Sequence, residues 1–232
     1  VYYSTDGGKK WSEDNPTYTN VGTYPVDVKV TNLNYEDRLG RGTVTIIPKA
    51  LEVAGNTNTV TYTGSEQIVE GFSHGDLVNE TGTVVLKEGF KAEAKGTNVG
   101  TYQMGLEASN FAVMDGEEDV TENYTITVTD GWLKIEPAEL TLTVTGGEWI
   151  YDGEAHTVTF EAIGIAEDAF TYEFSTDGKN WSNTQLSVLH VSDGEVEVYV
   201  KASNRNYIPV IKSATIKIIP KALTVTAKSD TK

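Results

Sequence analysis

The 232-residue chain contains no cysteine, which removes disulfide scaffolds, thiol catalysis, iron–sulfur clusters and cysteine-based zinc sites together. Its three histidines, His74, His156 and His190, lie far apart in sequence, so no HExxH pair or similar histidine metal motif exists. Positive charge is scarce as well: 18 Lys and Arg face 34 Asp and Glu, a net charge of -16. Phosphate neutralisation needs clustered basic residues, and only doublets such as Lys9-Lys10 occur, which argues against nucleic acid and anionic membrane surfaces as partners. No apolar run approaches the roughly 18 residues of a membrane span. The start, Val1-Tyr2-Tyr3-Ser4, has neither an initiator Met nor a charged-then-apolar signal segment, so the chain reads as a piece of something longer.

Repetition is what the sequence does have. Ile47-Pro48-Lys49-Ala50-Leu51, Glu136-Pro137-Ala138-Glu139-Leu140 and Ile219-Pro220-Lys221-Ala222-Leu223 place Pro48, Pro137 and Pro220 at a nearly even spacing. At one shared offset after the first two prolines stand Tyr62-Thr63-Gly64 and Tyr151-Asp152-Gly153. At another shared offset, ahead of Pro48 and Pro220, begin Asn32-Leu33-Asn34-Tyr35 and Asn204-Arg205-Asn206-Tyr207; in the middle unit the matching Asn110 lies further ahead of Pro137. The extra length then forms an insertion holding Asp115, Glu117, Glu118 and Asp119. Tyr3-Ser4-Thr5-Asp6-Gly7 through Trp11-Ser12 also matches Phe174-Ser175-Thr176-Asp177-Gly178 through Trp181-Ser182. The parsing is a partial repeat over 1–47, complete repeats over 48–136 and 137–219, and the first strand of a further repeat over 220–232.

The segments between these landmarks read as strands. Tyr24, Val26, Val28 and Val30 alternate with other residues, as do Tyr102, Met104, Leu106 and Ala108, and Val196, Val198, Val200 and Ala202. Period two with one apolar face means half-buried antiparallel strands. Asp6-Gly7, Asp152-Gly153, Asp177-Gly178 and Asp193-Gly194 supply turns. No long stretch keeps helical spacing, and only Ala166–Phe170 suggests a single helical turn. The fold class is all-β, with small β-sandwich repeats of about 85 residues.

Gly-Thr-Tyr at 22–24 and 100–102 opens a strand, and an Asn-rich turn then leads into a last strand ending at the proline. With the Tyr-Thr-Gly and Tyr-Asp-Gly triplets, the units resemble the tandem bacterial Ig-like repeats, including the Tyr-Asp-Gly type, of large cell-surface and adhesin-like proteins. The resemblance implies Ig-like sandwiches in an elongated array outside the cell, on a bacterial surface or secreted. A β-grasp, as in some mucin-binding surface repeats, is the alternative fold.

Candidate sites are few. Ser4-Thr5-Asp6-Gly7-Gly8-Lys9-Lys10-Trp11 has the spacing of an Asp-box, a structural hairpin of sialidases and other propeller proteins, and the copy at 175–181 is one residue shorter. A sialidase would also need an arginine cluster, whereas only Arg38, Arg41 and Arg205 exist. Asp115, Glu117, Glu118 and Asp119 are carboxylates of the type Ca²⁺ accepts, but without EF-hand order a solvated acidic loop is the default; no other cofactor is expected. Trp11, Trp181, Tyr3 and Tyr172 could form a sugar-stacking platform, against the plainer expectation that such rings, with Trp132 and Trp149, fill small cores. Lys49 and Lys221, recurring beside boundary prolines, are candidates for a Lys–Asn isopeptide cross-link. No catalytic constellation converges, so no enzyme is expected. The expected function is a non-catalytic spacer or stalk whose partners are neighbouring repeats, its stiff proline junctions holding domains in line. The alternatives are an adhesive module for a glycan or host protein, and an accessory module of a secreted carbohydrate-active enzyme.

Overall fold

A computed structural model describes residues 1–229, and the last three positions of the 220–232 fragment lie outside the described residues. The described chain is all-β, with only three short 3₁₀ turns. A β-grasp packs a helix on its sheet, and no α-helix occurs among the described residues. Two compact units form: one from Val1–Thr57, Val69–Ala94 and Gln103–Trp132, the other from Asn58–Ile68, Lys95–Tyr102 and 133 onward. Residues of the 48–136 segment therefore contribute to both.

In the first unit, Gly22–Asn32 is the middle strand between Tyr2–Ser4 and Tyr35–Ile46, antiparallel to each. Lys49–Gly55 pairs in parallel with Tyr124–Thr129 and antiparallel with Phe72–His74. A third sheet joins Gly82–Leu86, Phe111–Asp115 and Glu118–Asp119. Alternation places Leu51 and Val53 of one sheet against Val84, Phe111 and Val113 of another, with Phe72 meeting Phe111 edge-on at 5.0 Å. Burying a side chain of this size stabilises by about 1.5–3 kcal/mol, so these facing rows hold the sandwich closed.

In the second unit a four-stranded sheet runs Gly147–Ile150, Val210–Ile219, Glu195–Ser203, Thr171–Ser175, the first pair parallel and the others antiparallel. Thr141–Thr145 and Thr159–Ile163 form the opposing antiparallel pair. Between them lie Val158, Phe174, Val188, Val198, Val200, Ile216 and Ile218, most of them inward residues of period-two strands. These facing sheets make a β-sandwich. The unit also takes in the strands Thr57–Thr61, Trp132–Glu136 and Gly100–Gln103, apart from Thr57, Trp132 and Gln103 themselves.

Three local expectations change. The strand expected through Ala108 ends at Gln103, because Gly105 turns the chain at φ +74° and the Asp130 carboxylate captures the amides of Gly105 and Leu106. Ala166–Phe170 forms a bend instead of a helical turn, the amide of its first residue taken up by a tyrosine hydroxyl. Over 220–229 no strand is formed, and Leu223 and Val225 stand exposed, since a lone strand has no ladder to join.

Candidate functional site

Asparagines and tyrosines recur with the same geometry once in each compact unit. Asn20-Val21-Gly22-Thr23-Tyr24 and Asn98-Val99-Gly100-Thr101-Tyr102 are identical runs. In each the tyrosine hydroxyl donates to the carbonyl of its own Asn, Tyr24 to Asn20 and Tyr102 to Asn98, both at 2.9 Å. The loop is thereby closed on itself, and the next amide and the Asn side chain bond outside it.

An asparagine more than 100 residues further along the chain grips both. In the first unit Val21 N–H donates to Asn123 Oδ1 at 2.7 Å, and Asn123 Nδ2 donates to Asn20 Oδ1 at 3.0 Å. In the second unit Val99 N–H donates to Asn206 Oδ1 at 3.0 Å, and Asn206 Nδ2 donates to Asn98 Oδ1 at 2.9 Å. A primary amide offers one acceptor and two donors on one planar group, which suits it to a two-point clasp. Asn206 is 4% exposed, so its polar atoms would be costly to leave unpaired.

The second-unit clasp has a further layer. Tyr62 and Tyr207, 4% and 2% exposed, meet edge-on at 5.4 Å and both donate to Asp168 Oδ2, at 2.9 and 2.7 Å. Phe170 packs on Tyr207 as well, at 5.2 Å. Burial first, then the Asp168 carboxylate, pushes both phenols above their ordinary pKa. The backbone approaches closely here: a Cβ on Gly64, whose φ is +82°, would lie 2.5 Å from the Ala166 Cβ. Only glycine fits that position. The tyrosines Tyr35, Tyr124 and Tyr207 share one offset from the boundary proline that follows each.

None of the clasp residues stands out in sequence as chemically special. The available signal is positional: Asn34, Asn123 and Asn206 stand at one constant offset ahead of Pro48, Pro137 and Pro220. Asn110 is therefore not the middle-unit match. It is buried in a 3₁₀ turn, where its side chain accepts from Glu107 N–H at 2.6 Å. At the offset of Asn32 and Asn204 the middle unit has Thr121, and Asn123-Tyr124 stands where Asn34-Tyr35 and Asn206-Tyr207 do.

The Asp hairpins are self-contained. Ser4 Oγ donates to Asp6 at 2.8 Å, and the same carboxylate oxygen accepts from the amides of Lys9 and Lys10 at 2.9 and 3.0 Å. Asp177 likewise holds Ser175 Oγ and the amides of Lys179 and Asn180, and those amides drive its pKa far below the usual carboxylate range. With Asp6 Oδ1 and both Asp177 oxygens engaged by the turn, these side chains shape a hairpin. Trp11 and Trp181 are half-buried, with Lys29 Nζ 5.9 Å and Lys201 Nζ 5.7 Å from the respective ring centres. Tyr3 is half-buried in its short strand, and Tyr172 packs on Phe160 at 4.6 Å.

Of the four acidic candidates, Asp115 accepts from Asn79 and Thr81 at 2.6 and 3.0 Å, and Asp119 accepts from the Thr121 amide at 2.9 Å. Glu117 and Glu118 are exposed. Among the described residues no group of three or more His, Asp or Glu side chains is placed to hold a metal ion. Lys49 is exposed and donates to the Leu77 carbonyl at 3.2 Å, and Lys221 is exposed. Among the described residues no helix is long and apolar enough to cross a membrane.

No protein-family model matches the sequence, and no curated protein matches it. Among solved structures the chain is similar to Sidekick-1 immunoglobulin domains 1–4 at 16% identity, covering 88% of this chain and 60% of that one, with a TM-score of 0.33. It is also similar to the extracellular cadherin domains 1–4 of protocadherin gamma B7 at 10% identity, covering 86% and 58%, TM-score 0.30. A third, mouse cadherin-23 EC22–24, shows 10% identity over 86% of this chain and 74% of that one, TM-score 0.28. The chain spans less than two thirds of the first two structures, and at such scores the likeness goes no further than the β-domain build described above.

Proposed function

We propose that these are non-catalytic spacer repeats of a bacterial cell-surface, adhesin-like protein, acting outside the cell to project a distal functional domain. The observation that supports this reading is the asparagine clasp, which recurs with the same residue types and the same bonds in both units. Domains joined only by a linker move freely by default. A spacer has to transmit position along the chain, so each joint needs contacts that resist bending. Two hydrogen bonds around one amide, with a tyrosine closing the loop that receives them, are contacts of that kind. The net charge of -16 opposes self-association of an exported array. The bacterial surface setting rests on the Tyr-x-Gly repeat resemblance.

Small-angle scattering of the chain and of an Asn123→Ala/Asn206→Ala double variant tests the proposal. The expected result is an extended particle for the parent and a broader distribution of dimensions for the variant. A compact parent profile, or one unchanged by loosening both clasps, refutes it. Saturable glycan binding abolished by Trp11→Ala and Trp181→Ala would put the adhesive reading in its place.

A further inference from the structure

The middle repeat lacks a cover that its neighbours share. In the second unit the outer strand Thr171–Ser175 is flanked by the Asp hairpin that follows it. The hairpin returns so that Phe174 N–H donates to the Ser182 carbonyl at 2.8 Å and Ser182 N–H donates to the Phe174 carbonyl at 2.9 Å. Tyr3 and Ser12 exchange the same two bonds, at 2.7 and 2.9 Å, on the outer strand Tyr2–Ser4. Each hairpin thus occupies backbone groups that an outer strand otherwise offers to another chain.

The corresponding strand of the middle repeat is Gly82–Leu86, which follows Phe72–His74 as Thr171–Ser175 follows Thr159–Ile163. It too is the outer strand of its sheet. No Asp-Gly pair follows it. Lys87-Glu88-Gly89-Phe90 turns at once, with Gly89 at φ +88° and Phe90 N–H donating to the Lys87 carbonyl at 3.2 Å. Lys87 N–H donates to the Asn110 carbonyl at 2.9 Å, so by antiparallel alternation Thr83 and Val85 bond to Phe111–Asp115, while the amides and carbonyls of Val84 and Leu86 point out of the sheet. Among the described residues no strand or bridge covers them. Beside them Val85 is 37% and Phe90 50% exposed, and an open cleft of about 330 Å³ runs along Phe72, Leu86 and Phe90. This edge lies in the interior of the 48–136 repeat, and its exposure follows from the short turn at 87–90.

Two copies of the edge complement each other. With Val85 opposite Val85 of a second copy in antiparallel pairing, Val84 of each copy meets Leu86 of the other, and each of those two pairs exchanges two hydrogen bonds. The central pair is then of the non-hydrogen-bonded kind, which brings side chains closest. Charge matches as well. Glu80 and Asp115 stand at one end of the strand, and Lys87 and Lys91 lie beyond the other with only Glu88 between them in charge. Antiparallel pairing brings the basic end of each copy to the acidic end of the other.

We propose that Gly82–Leu86 is a homotypic contact site, at which two copies of the chain join by antiparallel strand pairing about a twofold axis at Val85. The net charge of -16 on each copy keeps the contact weak, with a Kd on the order of 0.1–1 mM. The inference is independent of the spacer role, because it rests on one edge within one repeat.

Sedimentation equilibrium of the intact chain from about 10 μM to about 1 mM, in about 150 mM salt, tests it. The expected result is a reversible dimer, with amide shifts that follow concentration at Val84 and Leu86 and none at Phe174, whose edge is covered. Val85→Lys and Val85→Glu each place like charges opposite one another and should weaken association at least about tenfold. An equimolar mixture of the two variants should associate again, because opposite charges then face each other. That recovery also excludes misfolding as the cause of the single-variant losses. A parent that stays monomeric throughout overturns the proposal, as does association that survives Val85→Lys, which assigns it to another surface. A mixture that stays monomeric overturns it too, since Val85 then does not face its own copy.

Discussion

Replacing Asn206 by alanine removes the two side-chain bonds of the second-unit clasp while leaving the backbone in place. Two neutral hydrogen bonds contribute about 1 kcal/mol each net, and a half-buried Val99 N–H left without an acceptor adds up to about 1 kcal/mol more. The junction should lose about 2–3 kcal/mol, a roughly 30- to 150-fold shift toward its open form. Hydrogen exchange reads such local opening amide by amide. The informative amides are those whose acceptors survive the change: Ala138 on the Asn206 backbone carbonyl, Tyr62 on the Glu136 carbonyl, and Ala166 on the Tyr207 hydroxyl. All three should exchange faster by that factor, while Val21, held by Asn123 in the first unit, should not change. A double-mutant cycle with Asn98→Ala should give a coupling of about 1 kcal/mol, the direct Asn206–Asn98 bond. If Val99 alone exchanges faster and the other three amides keep their protection, the clasp does not hold the junction and the reasoning fails.

Tyr62 and Tyr207 bind their protons more tightly folded than unfolded, so their contribution is full below about pH 10 and is lost as pH rises through the raised folded values. Melting temperature should fall more steeply above that pH in the parent than in a Tyr62→Phe/Tyr207→Phe variant; parallel curves would contradict the assignment. Asp177 shows the opposite sign: its depressed folded pKa means stabilisation above about pH 4 that is lost as pH falls through the folded value. The amide shifts of Lys179 and Asn180 should hold constant to about pH 3 and then titrate, and Asp177→Ala should abolish the titration and loosen the hairpin. Gly64→Ala should cost about 1–3 kcal/mol by backbone strain at φ +82° plus the clash with Ala166. Gly153→Ala, at φ +91° with nothing within 4 Å, should show only the strain part, and equal losses in thermal melts would remove Ala166 from the account.

Period-two alternation makes the strands legible. Val196, Val198 and Val200 belong to the strand Glu195–Ser203, and their inward faces follow from the pleat alone. It misleads at Met104–Ala108, where the pattern continues but Gly105 and the Asp130 carboxylate end the strand. Asp130 is distant in sequence from the amides it captures, so nothing local announces it. The Asp hairpins are also legible, because their bonds link residues two to four apart.

The clasp is only half legible. Asn-Val-Gly-Thr-Tyr and the constant Asn-to-proline offset are visible in one dimension, yet nothing in the sequence alone says that Asn123 rather than Asn110 has a distant partner. Asn123 reaches Asn20 across 103 residues and Asn206 reaches Asn98 across 108. Composition, repeats and alternation by themselves determined an all-β, cysteine-free chain of recurring units, since those properties depend on side-chain type and near-neighbour spacing. Only the tertiary structure decided which asparagines clasp a distant loop, and that Tyr62 and Tyr207 share one carboxylate. An amide gains its hydrogen-bonding role from a partner brought to 3.0 Å or less by the packing of distant strands, and spacing along the chain does not encode that approach.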